Sequence, residues 1–286
     1  MIGTVEMNIY DVQLGLAVHV KAPNGKYIVI DLGSGMQGTS NASPIKRLQR
    51  GDIACMVITH PHLDHFSDIL NIGDSLPRIL FRVKGFTDQE ILCHANKDTL
   101  VKFQHYINFC GMYNNPLTEF DADNPMKPSN YGGLKISFWN DSTCDQSNFN
   151  NFSIITIFEF EGIKIVVCGD NEKESLEKLM RRREFQDAIA GAYILVAPHH
   201  GRKSSYYKEF VSQVNPRLTI ISDGKYTDNS AVREYSEDSQ GFDVYNSDNH
   251  VRTRKCLTTR TDGDIKIEFG RNVQSESLFF KVKHGK

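Results

Sequence analysis

Thr59-His60-Pro61-His62-Leu63-Asp64-His65 follows an apolar run without a break. Residues 53–59 have the length and composition of a buried strand, so the histidines begin where a strand ends. Side chains on an extended segment repeat every two residues, so His60 and His62 point the same way. If a helix begins near Leu63, Asp64 and His65 fall in its first turn. Three imidazoles and one carboxylate thus crowd into six residues. A single histidine is usually a packed or surface residue, but this spacing points to metal, and imidazole suits zinc and related transition metals. An open catalytic site takes about three protein ligands plus water. Four donors exceed one such site and suit the beginnings of two.

Further ligands should come from other strand ends. Gly169-Asp170 follows the apolar run 163–168. A carboxylate there is costly unless it is solvated, hydrogen-bonded or on a metal. Taken alone, a turn aspartate or a helix cap before Asn171-Glu172 is the simpler reading. Pro198-His199-His200-Gly201 follows strand 193–197. Adjacent residues on an extended chain face opposite ways, so one of these histidines should take metal and the other touch substrate or pack. Which is which stays open. Asp31 closes the strand 26–31 and can accept an imidazole N–H, or simply serve a turn.

The rest of the chain alternates strand and turn. Residues 5–12, 15–21 and 26–31 read as strands, with a hairpin at Pro23-Asn24-Gly25. Residues 44–50 suggest a short helix and 97–112 a longer one. Residues 114–133 are loop-like and offer the one internal boundary, a weak one. Strands follow at 134–139, 153–160, 163–168, 193–197, 217–222, 256–260, 264–269 and 277–282. Helices are expected at 172–183, 204–213 and 230–237. Two β-rich halves with helices between them suggest two sheets packed face to face, helices outside, and strand ends converging on one edge. We read residues 1–286 as a single domain.

Composition excludes some functions. The 286 residues are 40% hydrophobic and 24% charged, an ordinary globular balance. The start of the chain lacks a signal-peptide pattern, and no window approaches the ~18 apolar residues of a membrane span. The six cysteines include no CxxC pair and read as reduced. These features lead us to expect a cytoplasmic protein with no membrane contact. The net charge of −2 is unlike a protein that grips nucleic acid by charge alone. Basic clusters do occur at Lys46, Arg47 and Arg50; Arg181, Arg182 and Arg183; Arg202 and Lys203; and Arg252, Arg254 and Lys255. Solvated helix faces and loops account for each of them.

The histidine motif, taken with Tyr10-Asp11-Val12, Ile30-Asp31, Asn150-Asn151-Phe152-Ser153, Val167-Cys168-Gly169-Asp170 and Ala197-Pro198-His199-His200-Gly201, resembles the metallo-β-lactamase superfamily. Within it, the chain resembles the soluble ComEC-like domain of DNA uptake, from about Met7 to Glu268. The resemblance implies an α/β (α+β) class and a four-layer αββα metallo-β-lactamase sandwich. It also implies two divalent ions, Zn2+ or Mn2+, on one edge. His60 and His62 would hold one ion, and Asp64, His65 and His200 the other. Asp170 would bridge them, with Asp64 and His199 as catalytic residues and His199 able to steady a phosphate. The chain departs from the superfamily pattern in four places, the first at a mid-chain metal-binding histidine, in whose stretch Asn150, Asn151 and Ser153 stand. Asp11-Val12-Gln13-Leu14-Gly15-Leu16 lacks a second aspartate, Arg202 replaces a small residue, and segment 242–260 is long. That segment adds His250, Arg252 and Arg254 near the expected active edge. His94 and His105 read as structural.

Paired cations would acidify a water for attack on phosphorus or a carbonyl carbon. Lys203, Ser204 or Lys225 could bind phosphate, and Asn151 could contact the substrate. The reading is a metal-dependent hydrolase, a phosphodiesterase or nuclease with DNA as its nucleic-acid substrate. The alternative is hydrolysis of a small phosphoester, cyclic nucleotide, lactone or β-lactam. Partner proteins and oligomeric state stay open.

Overall fold

Fifteen strands form two sheets in the computed structural model, which describes residues 3–35, 43–48, 52–73, 75–224, 229–272 and 275–286. In chain order the strands are β1 (Thr4–Ile9), β2 (Val18–Lys21), β3 (Tyr27–Ile30), β4 (Ile53–Ile58), β5 (Ile79–Arg82), β6 (Lys135–Trp139), β7 (Ile155–Phe160) and β8 (Ile163–Val167). They continue as β9 (Ile194–Val196), β10 (Leu218–Ile221), β11 (Phe242–Tyr245), β12 (Val251–Arg254), β13 (Cys256–Thr258), β14 (Ile265–Arg271) and β15 (Leu278–His284). The larger sheet runs β12-β11-β15-β14-β1-β2-β3-β4-β5 and the smaller β13-β10-β9-β8-β7-β6. The helices are α1 (Leu63–Phe66), α2 (Asp88–Leu92), α3 (Leu100–Gly111), α4 (Lys173–Met180), α5 (Arg183–Ile189), α6 (Lys208–Val214), α7 (Val232–Glu237) and α8 (Thr259–Asp262).

Side-chain alternation builds the layers. In β1, Val5, Met7 and Ile9 turn inward while Thr4, Glu6 and Asn8 are partly exposed. Facing them from the smaller sheet are Phe158, Phe160, Ile163, Ile165 and Val167. The opposite face of that sheet packs Ile157, Val166 and Leu195 against Leu176, Leu179, Phe185 and Phe210 of α4, α5 and α6. On the larger sheet Met56 and Ile58 meet Phe66, Phe103 and Tyr106 of α1 and α3. The result is an α-β-β-α stack. Each fully buried Ile, Val or Phe contributes about 1.5–3 kcal/mol relative to exposure. β4 is apolar throughout because both of its faces are covered.

Strands β3, β4 and β5 are parallel, as are β8, β9, β10 and β13. Loops leaving the carboxyl ends of parallel strands share one edge, where ligands bind in open α/β sheets.

Several expected elements differ. The helix expected at 172–183 is two, because Arg182 adopts an extended backbone and its guanidinium pairs with the buried Asp141. The helix expected at 204–213 starts only at Lys208, after a tight turn over Lys203–Ser205. The strand expected at 256–260 stops at Thr258, whose hydroxyl caps α8. β5, β11, β12 and α2 were not expected. β11 and β12 form the long segment after residue 242, at the far side of the larger sheet from β4. His250, Arg252 and Arg254 therefore do not lie at the active edge, and Arg254 pairs with Asp262. The residues 49–50 expected to end the first helix lie outside the described residues. All six cysteines are free, Cys93 being the exposed one. Among the described residues no helix is long and apolar enough to cross a membrane.

Candidate metal centre

β4 ends at Ile58, and Thr59 ties its end to β3. The Thr59 amide donates to Asp31 Oδ1 at 2.7 Å and its hydroxyl to Oδ2 at 2.8 Å. His62 is the N-cap of α1, so the chain passes from strand to helix within the histidine motif. His60 Nε2 lies 2.9 Å from His62 Nδ1. His65 Nδ1 donates to Asp31 Oδ2 at 2.7 Å, which turns Nε2 toward the site. That nitrogen is buried and has no aligned hydrogen bond, although Asp170 Oδ1 is 3.2 Å away and Asp64 Oδ2 is 3.7 Å away.

The smaller sheet supplies the other donors. Gly169, after β8, has φ +58°, and a Cβ there would meet Thr59 Cβ at 2.9 Å and Ser153 Cβ at 3.0 Å. Only glycine fits, and the close approach sets Asp170 beside the β4 loop. After β9 the chain is not extended. His199, His200 and Gly201 are left-handed in succession, with φ of 48°, 53° and 68°. Strand alternation therefore does not decide their directions. His200 Nδ1 donates to the Ser222 carbonyl at 2.9 Å, leaving Nε2 3.1 Å from Asp64 Oδ2 and 3.4 Å from Asp170 Oδ2. His199 Nδ1 faces Ser205 Oγ at 2.9 Å and Glu172 Oε1 at 3.4 Å.

Asp64, His65, Asp170 and His200 offer ligand atoms that all lie within 4.8 Å of one another. Asp170 Oδ2 is also 3.9 Å from His60 Nε2, so this carboxylate stands between the two sets of imidazoles. Burial alone would raise the carboxyls of Asp64 and Asp170; His65 and His200 outweigh it and hold both below the usual range. Burial disfavours charge on His65 and His200, yet Asp170 first, with Asp64, raises both, His200 to about 10. Burial keeps His60 and His62 low and hence able to donate lone pairs. The carboxylates of Asp64 and Asp170 favour positive charge at His65 and His200, and a divalent cation would supply that charge in its place. The orphaned His65 Nε2 and the His/Asp donor set fit such an ion.

Residues 12–84 match the family described as the metallo-beta-lactamase superfamily. That match takes in β4, α1 and the histidine motif, and the mixed two-sheet architecture is consistent with the metallo-beta-lactamase fold. The chain is 36% identical over 81 residues to ComE operon protein 3 of Bacillus subtilis, a match covering 28% of this chain and 10% of that protein. It is 23% identical over 227 residues to Recombination protein 2 of Haemophilus influenzae, covering 78% of this chain and 25% of that protein. The chain thus spans a quarter or less of the curated relatives it matches. Among solved structures, CmlA, a diiron beta-hydroxylase from Streptomyces venezuelae, is 12% identical with a TM-score of 0.44, covering 77% of this chain and 44% of that one.

The edge that carries these donors opens as a 420 Å³ pocket lined by Leu14, His62, Asp64, Asn150, Asp170, Glu172, His199, His200 and Arg202. The structure places the other expected site residues unevenly. His60 and His65 lie beneath the pocket, fully buried, and Asp31 lies behind His65. Asn151 faces α4, its amide donating to Glu174 Oε2 at 3.2 Å; the neighbouring Asn150 lines the pocket instead. Lys203 and Ser204 are exposed and do not line it, because the turn after Arg202 carries them away. Lys225 lies outside the described residues. His94 is exposed, its ring 5.5 Å from that of His62. Leu16, where the resemblance has a second aspartate, is buried between the sheets.

Glu172 is the residue that pattern reading passed over. It accepts hydrogen bonds from Asn148 and Asn150 at 3.0 and 2.9 Å and faces His199. Its signal was its position, two residues beyond Asp170 on the same strand end.

Proposed function

We propose that this chain is a metal-dependent hydrolase in which two divalent ions serve the cleavage of a phosphodiester, with DNA as substrate. The observation that carries the reading is the position of Asp170, 3.9 Å from His60, 3.2 Å from His65 and 3.4 Å from His200. One carboxylate between two donor sets suits a bridging ligand. On this reading His60 and His62 hold one ion, Asp64, His65 and His200 the other, and Asp170 both. Zn2+ and Mn2+ both suit these donors. Bound there, paired ions supply hydroxide near neutral pH and offset negative charge that develops on the phosphate.

The chain's own residues prepare that chemistry. Asp31 and the Ser222 carbonyl fix the tautomers of His65 and His200 so that each presents Nε2. Glu172 and Ser205 hold His199 at the pocket wall, which supports a role for it in steadying a phosphate oxygen. DNA as substrate is supported by the similarity to a relative named for recombination and by the resemblance to DNA-uptake domains. The core shared by the two sheets supports reading residues 1–286 as one domain. The free cysteines accord with a cytoplasmic setting.

The test is incubation of metal-loaded protein with single- and double-stranded DNA in Mn2+ or Zn2+. Cleavage that Asp64→Ala abolishes without loss of fold is expected. Intact DNA despite full metal occupancy would exclude this function. A pocket of 420 Å³ also admits a small ligand, so a lactone and bis(p-nitrophenyl) phosphate belong in the same assay.

A further inference from the structure

We infer that Arg202 is the substrate-binding residue that holds the phosphate at this site, and that it selects anionic phosphoesters over neutral carbonyl compounds. The inference rests on the hydrolase reading above and adds its substrate class.

The pocket lining contains three carboxylates, Asp64, Asp170 and Glu172. Arg202 is the one Lys or Arg among the described residues that line it. It is half-buried, and no carboxylate of the described residues forms an ion pair with it. A cation partly withdrawn from water without a partner is costly unless a ligand supplies the opposite charge.

The backbone that carries this side chain is pinned on both sides. The Arg202 amide donates to the His199 carbonyl at 3.0 Å. Lys203 N–H donates to the Asn229 carbonyl at 2.8 Å and Ala231 N–H to the Gly201 carbonyl at 2.7 Å, around an antiparallel bridge between Arg202 and Ser230. The backbone from which the guanidinium reaches the pocket is therefore fixed two residues from His200, whose Nε2 belongs to the donor cluster. A planar fork of N–H donors matches two oxygens of a phosphate, which a neutral lactone or amide carbonyl does not offer. The neighbouring Lys203 and Ser204, exposed and off the pocket, cannot serve this purpose.

The experiment compares wild type, Arg202→Ala and Arg202→Lys as metal-loaded proteins. Metal content is measured first, then calorimetric affinity for inorganic phosphate, then KM and kcat for DNA, bis(p-nitrophenyl) phosphate and a neutral lactone. Expected for Arg202→Ala is unchanged metal content, phosphate affinity weakened roughly 10–100-fold, and a matching rise in KM with a smaller change in kcat. Arg202→Lys should recover part of the affinity, and any lactone turnover should be unaffected. Unchanged phosphate affinity in Arg202→Ala overturns the inference while leaving the hydrolase reading intact. So does an equal loss on the lactone, which would mark a structural role. A wild type that binds metals but cleaves no phosphodiester overturns the hydrolase reading instead; the phosphate titration then still decides the role of Arg202.

Discussion

The loop after β4 delivers His60, His62 and His65 on a backbone with no left-handed residue, whereas the loop after β9 delivers His199 and His200 through three left-handed residues in a row. The first is an ordinary strand-to-helix passage, aligned by one carboxylate, Asp31. The second is held against its own preference. A left-handed residue other than glycine costs roughly 1–2 kcal/mol. It persists because the His199 amide bonds to Gly169, the Arg202 amide to His199, the Ala231 amide to Gly201, and the His200 ring to Ser222. Strain so over-determined marks a place where geometry matters more than stability. The comparison teaches that one site can draw imidazoles from a relaxed loop and a strained one, with Asp170 joining them.

Removing that joint should have the largest effect. Asp170→Ala should cost more metal affinity and activity than the ~10–100-fold typical of losing an outer partner, because both loops lose a ligand. Metal analysis and kcat on the same preparation check it. Next comes a change at the end of β3 that reaches the relaxed loop only through Thr59 and His65. Asp31→Asn keeps a side chain tolerant of the Asp31 φ of 58° but weakens the acceptor for His65. About 10–100-fold weaker metal binding is expected; an affinity equal to wild type would remove Asp31 from the account.

The strained loop is probed through stability. Gly201→Ala adds a Cβ 2.7–2.9 Å from Ile221 atoms at φ 68°, whereas Gly162→Ala at φ 77° meets nothing within 4 Å. Gly162→Ala should cost about 1 kcal/mol and Gly201→Ala about 1–3 kcal/mol more, read as denaturation midpoints. At His199 itself, Asn tolerates the left-handed backbone and a β-branched residue does not. His199→Val should be less stable than His199→Asn by about 1 kcal/mol. Equal midpoints would mean that the loop is not strained.

The last effect is the smallest at neutral pH and grows only in acid. His19 lies away from both loops, buried, with Nδ1 3.1 Å from the Tyr10 hydroxyl. Burial, with Arg47 adding to it, pushes its pKa from 6.5 to about 3. The folded protein refuses a proton that the unfolded chain accepts, so this site costs nothing above pH 6.5 and weakens the fold as pH falls from 6.5 toward 3. His19→Gln should flatten that part of the decline in melting temperature.

The same contrast explains what could be read in advance. Alternation in β1, β7 and β8 and the apolar run of β4 reflect burial against two layers, and such patterns are local. His60 to His65 was legible for the same reason. The left-handed turn at His199-His200 was not, because nothing in two histidines and a glycine announces φ above zero at the histidines. The sequence suggests Lys203 rather than Arg202 for phosphate, but the bridge to Ser230 keeps Arg202 at the pocket and the turn after it carries Lys203 out. β5, β11 and β12 escaped because their stability comes from neighbours distant in sequence, and apart from Val244 their side chains are exposed or half-exposed and carry no clear period.

The most direct test is the number of ions that the metal-free chain takes up from Mn2+ or Zn2+, followed by calorimetry with parallel elemental analysis. A carboxylate shared between two donor sets predicts two ions per chain, and loss of the pair together in Asp170→Ala. Saturation at one ion, or a second ion that stays in Asp170→Ala with wild-type affinity, would contradict the dinuclear account.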